Sequence, residues 1–413
     1  MPSVCCYFEV HQPYRVRSYD VFQIGRAHDY FDDKLNRDVM QKVARKCYLP
    51  ANALMLELIE RLEGRFRVAY AITGCALEQM QRYAPEVIES FQRLVQTGCV
   101  ELLGETYHHS LASVYDLSEF REQVALHTRA MQDVFGVTPT VFRNTELILD
   151  DRIAAEVAAL GFRGVLAEGA DDVLDSRSPN YVYQANGAPL ALLLKNYRLS
   201  DDIAFRFSNR SWVDYPLTAD KFARWVHNVR SSGDTVNLFM DYETFGEHQW
   251  AETGIFDFLA ALPQAVLAEP GFRFLTPSET LAAHPPVDVL GFPRTTSWAD
   301  AERDLSAWNG NDMQLRAIAR VTALGERIKR RNNPSLLALW RKLTTSDHFY
   351  YMCTKWFGDG DVHAYFSPYE SPYEAFINYM NALTDLEEWV LEASRATSPA
   401  ARAGASPHRN AIP

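Results

Sequence analysis

An α/β fold followed by an all-helical unit is what this sequence predicts, on three observations. From Ser3 to about Ala283, short apolar, β-branched or aromatic runs alternate with longer amphipathic stretches, the pattern of repeated β-α units. A breaker-rich stretch, His284-Pro285-Pro286 through Gly291-Phe292-Pro293, then ends the strand signals. Beyond Ala299 the apolar residues recur at helical spacing. The chain is therefore divided into 1–284, a linker 285–299, a helical unit 300–393 and a Ser-, Ala-, Pro- and Arg-rich tail 394–413, which is expected to be disordered. A length of 413 residues suits a barrel of about 250 residues plus a smaller module.

Taken in order, strands are expected at Val4–Val10, Phe66–Thr73, Val100–Leu103, Thr138–Arg143, Gly164–Ala167, Leu190–Lys195, Val236–Asp241 and Phe272–Phe274. Helical stretches such as Ala51–Leu62, Ser118–Phe135, Arg152–Leu160 and Ala219–Arg230 fall between them. In the second part, Leu315, Ile318, Val321, Leu324 and Ile328 form one apolar stripe and Phe376, Tyr379, Met380, Leu383 and Val390 another, both read as core. Pro372 suits the first turn of the last helix.

Composition narrows the function classes. The chain is 47% hydrophobic and 23% charged, an ordinary globular balance, and its net charge of −12 opposes polyanions and anionic lipid surfaces. Neither nucleic acid nor membrane is an expected partner. No apolar run reaches the ~18–20 residues that span a bilayer, and Met1–Val10 lacks the features of a secretory signal, so a cytoplasmic location is expected. The six cysteines include no C-x-x-C pair and are read as reduced. No P-loop, G-x-G-x-x-G, G-x-S-x-G or H-E-x-x-H occurs, and His108 and His109 are adjacent rather than one helical turn apart, so no metal and no cofactor is expected.

Acidic residues recur where predicted strands end: Glu105, Glu146, Glu168 and Asp241 each follow an apolar run, the position at which parallel sheets place active sites. Strand period would put Asp241 and Glu243 on one side, where each could raise the other's pKa; Glu243 and Glu247 can equally be solvated loop charges. Asp150 and Asp151 look like a helix N-cap and first turn, whereas Glu146 has no capping role and needs a buried partner or a catalytic duty. His11, directly after the first strand, is either a hydrogen-bonded structural group or part of a site.

In chain order, His11-Gln12-Pro13, Gly74-Cys75-Ala76-Leu77-Glu78, Glu146 in its loop and Asp241-Tyr242-Glu243-Thr244-Phe245-Gly246 resemble the first four motif regions of glycoside hydrolase family 57. Ala301–Gln314, with Trp308, resembles the fifth. The resemblance implies an incomplete (β/α)7 barrel followed by a helical domain contributing to the active-site cleft. It also implies retaining chemistry on α-glucans, with Glu146 as nucleophile and Asp241 as general acid/base. His11, Gln12, Glu78 and Glu243 are implied to hold the sugar. Where many members have a tryptophan seven residues after the acid/base, this chain has His248, with Trp250 two further on; these two and Trp308 complete the expected substrate-binding set, and Trp356 is a further aromatic candidate.

The expected activity is that of an α-amylase acting on maltooligosaccharides, starch or glycogen. A 4-α-glucanotransferase or branching enzyme would use the same acids, and a catalytically weak glucan-binding protein is the alternative of another class. Oligomeric state is left open.

Overall fold

The structure is a computed structural model that describes residues 1–355 and 365–396. Trp356 and all of the expected tail after Ala396 lie outside the described residues. Ten strands occur among the described residues: β1 (Ser3–Val10), β2 (Val68–Ile72), β3 (Val100–Leu102), β4 (Val141–Arg143), β5 (Gly164–Glu168), β6 (Tyr183–Ala185), β7 (Ala191–Lys195), β8 (Thr235–Asp241), β9 (Arg273–Phe274) and β10 (Val289–Leu290). One sheet runs β3-β2-β1-β8, with β9 also on β1, and the other runs β10-β6-β7-β5-β4. Only β6 and β7 pair antiparallel. An isolated bridge, Gly104 to Phe142, joins the sheets beside β3 and β4. Between β7 and β8, Asn196 N donates to Asn237 O at 2.9 Å and Asn237 Nδ2 donates to Leu194 O at 2.8 Å.

Helices fill most of the connections, as an α/β fold requires, and every residue of β1, β2 and β5 is buried. Strands covered on both faces read as continuous apolar runs instead of alternating ones, which is why composition found them while boundaries shifted by a few residues. The short strands β6 and β10 went unpredicted, being only three and two residues long.

Chain contacts separate two compact units, Met1–Pro13 with Asp33–Ala307, and Tyr14–Asp32 with Trp308 onward. This corrects two expected boundaries. Segment 285–299 is not a linker: β10 pairs with β6, and Thr296 exchanges backbone bonds with Leu149 at 2.8 and 3.1 Å. Residues 14–32, expected in the first unit, belong to the helical one. There the buried Asp385 accepts hydrogen bonds from Gly25 N, His28 Nδ1 and Tyr30 OH, each at 2.6 Å. In the helical unit, Ile318, Val321, Leu324 and Ile328 on Asp312–Lys329 are buried, but Leu315 is 48% exposed and leaves the expected stripe. Pro372 begins the last helix, Pro372–Ala396. No helix among the described residues is long and apolar enough to cross a membrane, and all six cysteines are free and buried.

Candidate active site

A single geometric rule builds the site. Cys5, Tyr7, Leu103, Val141, Leu166, Leu193 and Phe239 pack together in one buried cluster formed by the inward faces of the strands. Side chains two apart on a strand share a face, so Tyr7, Val141, Leu166, Leu193 and Phe239 are followed on that face by Glu9, Arg143, Glu168, Lys195 and Asp241, while Glu105 follows Leu103 just past the end of β3. Six ionisable groups thus cap one apolar core at the carboxyl ends of the strands, where parallel sheets carry their ligands. Burial demands that they pair. Arg143 Nε forms an ion pair at 2.9 Å with Glu9 Oε2, which accepts a hydrogen bond from Tyr7 OH, and Lys195 Nζ lies 3.1 Å from Asp201 Oδ1 and 3.8 Å from Glu168 Oε2.

Glu146 stands in the loop after β4. It and Leu147 adopt left-handed backbone, at φ 57° and 52°, a conformation that costs a non-glycine residue about 1–3 kcal/mol and collects at functional sites. Two side chains hold its carboxylate: Trp298 Nε1 donates to Oε2 at 2.8 Å, and His109 Nε2 lies 3.3 Å from Oε1. His109 is itself left-handed, at φ 50°. Two cations lie over the Trp298 ring, the Arg143 guanidinium 4.9 Å and Lys195 Nζ 5.3 Å from its centroid. Asp150 caps the next helix by accepting from Ile153 N at 2.8 Å, the structural role its sequence position suggested.

Asp241 ends β8 in register with Glu9 on β1. Burial pushes its carboxyl up from 3.8 to about 7, reinforced by the charges of Glu9 and Glu146 and opposed by Arg143 and Lys195. The strand stops at Asp241 and Tyr242–Thr244 forms a 3-10 turn, so period two does not extend to Glu243. The expected reason for a protonated Asp241 is thereby corrected, since its leading like-charged neighbours are Glu9 and Glu146. Glu243 faces Tyr48, whose OH donates to its Oε1, and Gln12, whose Nε2 donates to the same atom at 3.5 Å; burial and then the Asp241 charge raise it to about 8. Tyr48 closes a π-helical turn, Ala44–Tyr48, against this segment. Gly246 admits no side chain there, because a Cβ would sit 2.0 Å from Lys46 O at φ +111°.

The other expected residues separate. The His11 ring stacks on His109, with centroids 4.0 Å apart, and its Nδ1 meets Thr73 Oγ1 at 2.9 Å. Thr73 caps the helix Gly74–Tyr83 that carries Glu78, which accepts from Tyr107 OH at 3.1 Å. A Cβ on Gly74 would meet the Tyr107 ring at 2.4 Å, which accounts for glycine at the head of that motif. His248 donates its backbone N–H to Glu243 O at 2.9 Å, and its ring is held down to about 4, chiefly by burial. Trp250 is 59% exposed beneath Lys46. Trp308 is the correction: at 1% exposure, in the helical unit, it leaves no ring face for a sugar. Its place is beside Tyr350, in side-chain core.

Glu9, Arg143 and Trp298 were not singled out beforehand. A charged residue inside an otherwise apolar, buried run was the available signal for Glu9 and Arg143; Trp298, in the supposed linker, gave none. Donor atoms of Glu9, Glu105 and His109 lie within 4.8 Å of one another, a spacing that could hold a cation. Arg143 already supplies a positive charge 2.9 Å from Glu9, so the group is arranged as an ion-pair network.

Residues 5–293 match the family model described as "Glycosyl hydrolase family 57". A Methanocaldococcus jannaschii protein named "Putative alpha-amylase" is 44% identical over 399 residues, covering 93% of this chain and 84% of that one. Among solved structures, the 4-alpha-glucanotransferase from Thermococcus litoralis superposes with a TM-score of 0.65 at 13% identity, over 92% of this chain and 59% of that one. A family 57 branching enzyme from Thermococcus kodakaraensis gives 0.65 at 13% identity, over 96% and 92%. At such identities these two likenesses speak to the fold.

Proposed function

The chain belongs to glycosyl hydrolase family 57, and we propose that it is a retaining α-glucan hydrolase of the α-amylase type, with Glu146 as nucleophile and Asp241 as general acid/base. The observation that carries this reading is the unequal treatment of two strand-end carboxyls. Glu146 is held by the Trp298 and His109 nitrogens, which favour its anion, while burial and like charges push Asp241 up to about 7 and keep a proton on it. A carboxylate gripped by two ring nitrogens and a carboxyl that holds its proton suit a nucleophile and an acid acting on opposite sides of one glycosidic bond.

In the first step Glu146 attacks the anomeric carbon while Asp241 passes its proton to the departing glycosidic oxygen, breaking the C–O bond. Asp241, now ionised, removes a proton from water as the water oxygen attacks the anomeric carbon, and Glu146 leaves as a carboxylate. Two inversions give net retention. His11, Gln12, Glu78 and Glu243 are the polar groups assigned to sugar hydroxyls, with Trp250 and His248 at the edge.

Incubation with maltoheptaose tests the reading. Reducing ends should rise steadily, the first-formed product should be the α-anomer by NMR, and Glu146→Gln should lose about 10³-fold or more in kcat. Longer oligosaccharides at constant reducing ends would identify a transferase instead. Binding without turnover would identify a glucan-binding protein.

A further inference from the structure

We propose that Glu105 is a positioning residue for the nucleophile: it grips the ring nitrogen of His109 that faces away from Glu146, and so keeps His109 as a charged donor aimed at the Glu146 carboxylate. This rests on the assignment of Glu146 above. His109 Nδ1 lies 3.4 Å from Glu105 Oε2 and 3.6 Å from Glu9 Oε1, while Nε2 lies 3.3 Å from Glu146 Oε1. A neutral imidazole has one N–H; carboxylate oxygens at both nitrogens are satisfied together only by the imidazolium. The His109 side chain is 3% exposed and that of Glu105 0%, so water offers little substitute for either bond.

The surroundings agree from every side. Glu9, the second carboxylate near His109 Nδ1, is paired with Arg143. The His11 ring stacks on His109 and turns its own Nδ1 to Thr73, and Glu105 Oε2 is the nearer of the two carboxylate oxygens at His109 Nδ1. Behind Glu105 stands His127, whose Nδ1 accepts from Glu105 N–H at 3.4 Å and whose Nε2 meets Ile72 O at 2.9 Å. That tautomer is neutral, and burial holds His127 down to about 4, so it brings no positive charge to Glu105. Asp241 is next to Glu9 in register. Burial by itself would discharge His109; the bonds to Glu105 and Glu146, with the Glu9 charge, outweigh it and raise His109 above its ordinary value. Glu105 is raised to about 7 by burial and then by the Glu9 charge, and the His109 contact is the leading influence that opposes this and favours its anion.

Removing the Glu105 charge should let His109 release a proton, and the nucleophile would then lose a neighbouring cation and become harder to ionise. The test is Glu105→Gln, which keeps the shape. The acid limb of kcat/KM on a maltooligosaccharide should move up by about one pH unit, with KM little changed. In ¹⁵N-histidine NMR, His109 should carry two N–H groups at pH 7 in the wild type and one in the variant. A 5-fluoro-glucosyl fluoride should label Glu146 in both. An unmoved limb, with Glu146 still labelled, overturns the proposal and leaves the assignment of the nucleophile standing; label on another residue overturns that assignment. Should Glu105→Gln not fold, His109→Gln, which removes the charge but retains an amide donor, should move the same limb, and an unmoved limb again overturns the proposal. Stoichiometric metal in the purified wild type that is lost in Glu105→Gln would also overturn it, because the same atoms would then be ligands.

Discussion

Replacing Asp241 by Asn should make the protein more stable and nearly inactive, with a stability gain that depends on pH. Asp241 has an ordinary value of 3.8 and a folded value of about 7. Because the folded value is the higher, between those limits the folded protein keeps a proton that the unfolded chain has released, and stability falls as pH rises across the window. The full difference corresponds to about 4 kcal/mol, and solvent screening at a half-buried carboxyl reduces it to about 2 kcal/mol. Asn cannot ionise. The gain of Asp241→Asn over wild type should therefore be near zero at pH 4, grow through pH 5 and 6, and level off above 7 at about 2 kcal/mol, or roughly 4 °C in Tm. Differential scanning calorimetry of both proteins from pH 4 to 8 measures it, alongside the basic limb of wild-type kcat/KM, which should fall near the same pH. A gain that is constant with pH, or a variant less stable than wild type at pH 8, would refute the placement of a strained, proton-holding acid at this strand end.

Trp298→Phe keeps an aromatic ring beside Arg143 and Lys195 but removes the N–H on Glu146; loss of a hydrogen bond to a charged group, about 1.5–3 kcal/mol, should lower kcat by ten- to a hundredfold in steady-state kinetics. Trp308→Ala should cost about 3–5 kcal/mol of stability in denaturant unfolding, as expected for a buried ring rather than a sugar platform; a rise in KM alone at unchanged stability would contradict its burial. Gly246→Ala should destabilise by about 2 kcal/mol or more, since its backbone is left-handed and Lys46 O blocks the Cβ; thermal unfolding reports it.

How far the site could be read in advance follows from where each charge lies in its run. Glu146 and Asp241 were legible because an apolar segment ends at or just before each of them, and burying a carboxyl there without purpose is costly. Arg143 obeys the same rule yet reads as the polar end of a strand, and Glu9 is a lone charge between Phe8 and Val10, a signal that does not say which way it points. That both turn inward depends on strand register, which a single sequence does not specify. Trp298 reaches Glu146 across 152 positions through the Leu149–Thr296 bridge, a non-local pairing with no periodic trace. The main strands were legible from composition; the assignment of 14–32 to the helical unit was not, because its hydrogen bonds join residues some 360 apart.

That last pairing has a consequence for how the protein is made. Gly25, His28 and Tyr30 leave the ribosome some 355–360 residues before Asp385, the carboxylate they share. At about 5–20 residues per second the gap lasts tens of seconds. The first unit, held within 1–307 apart from that excursion, has the residues of its own core long before the helical unit has its own. A fragment stopped at Ala307 would therefore carry 14–32 as a loop without its partners, and separating the units cleanly requires cutting the chain on both sides of that excursion as well as before Trp308.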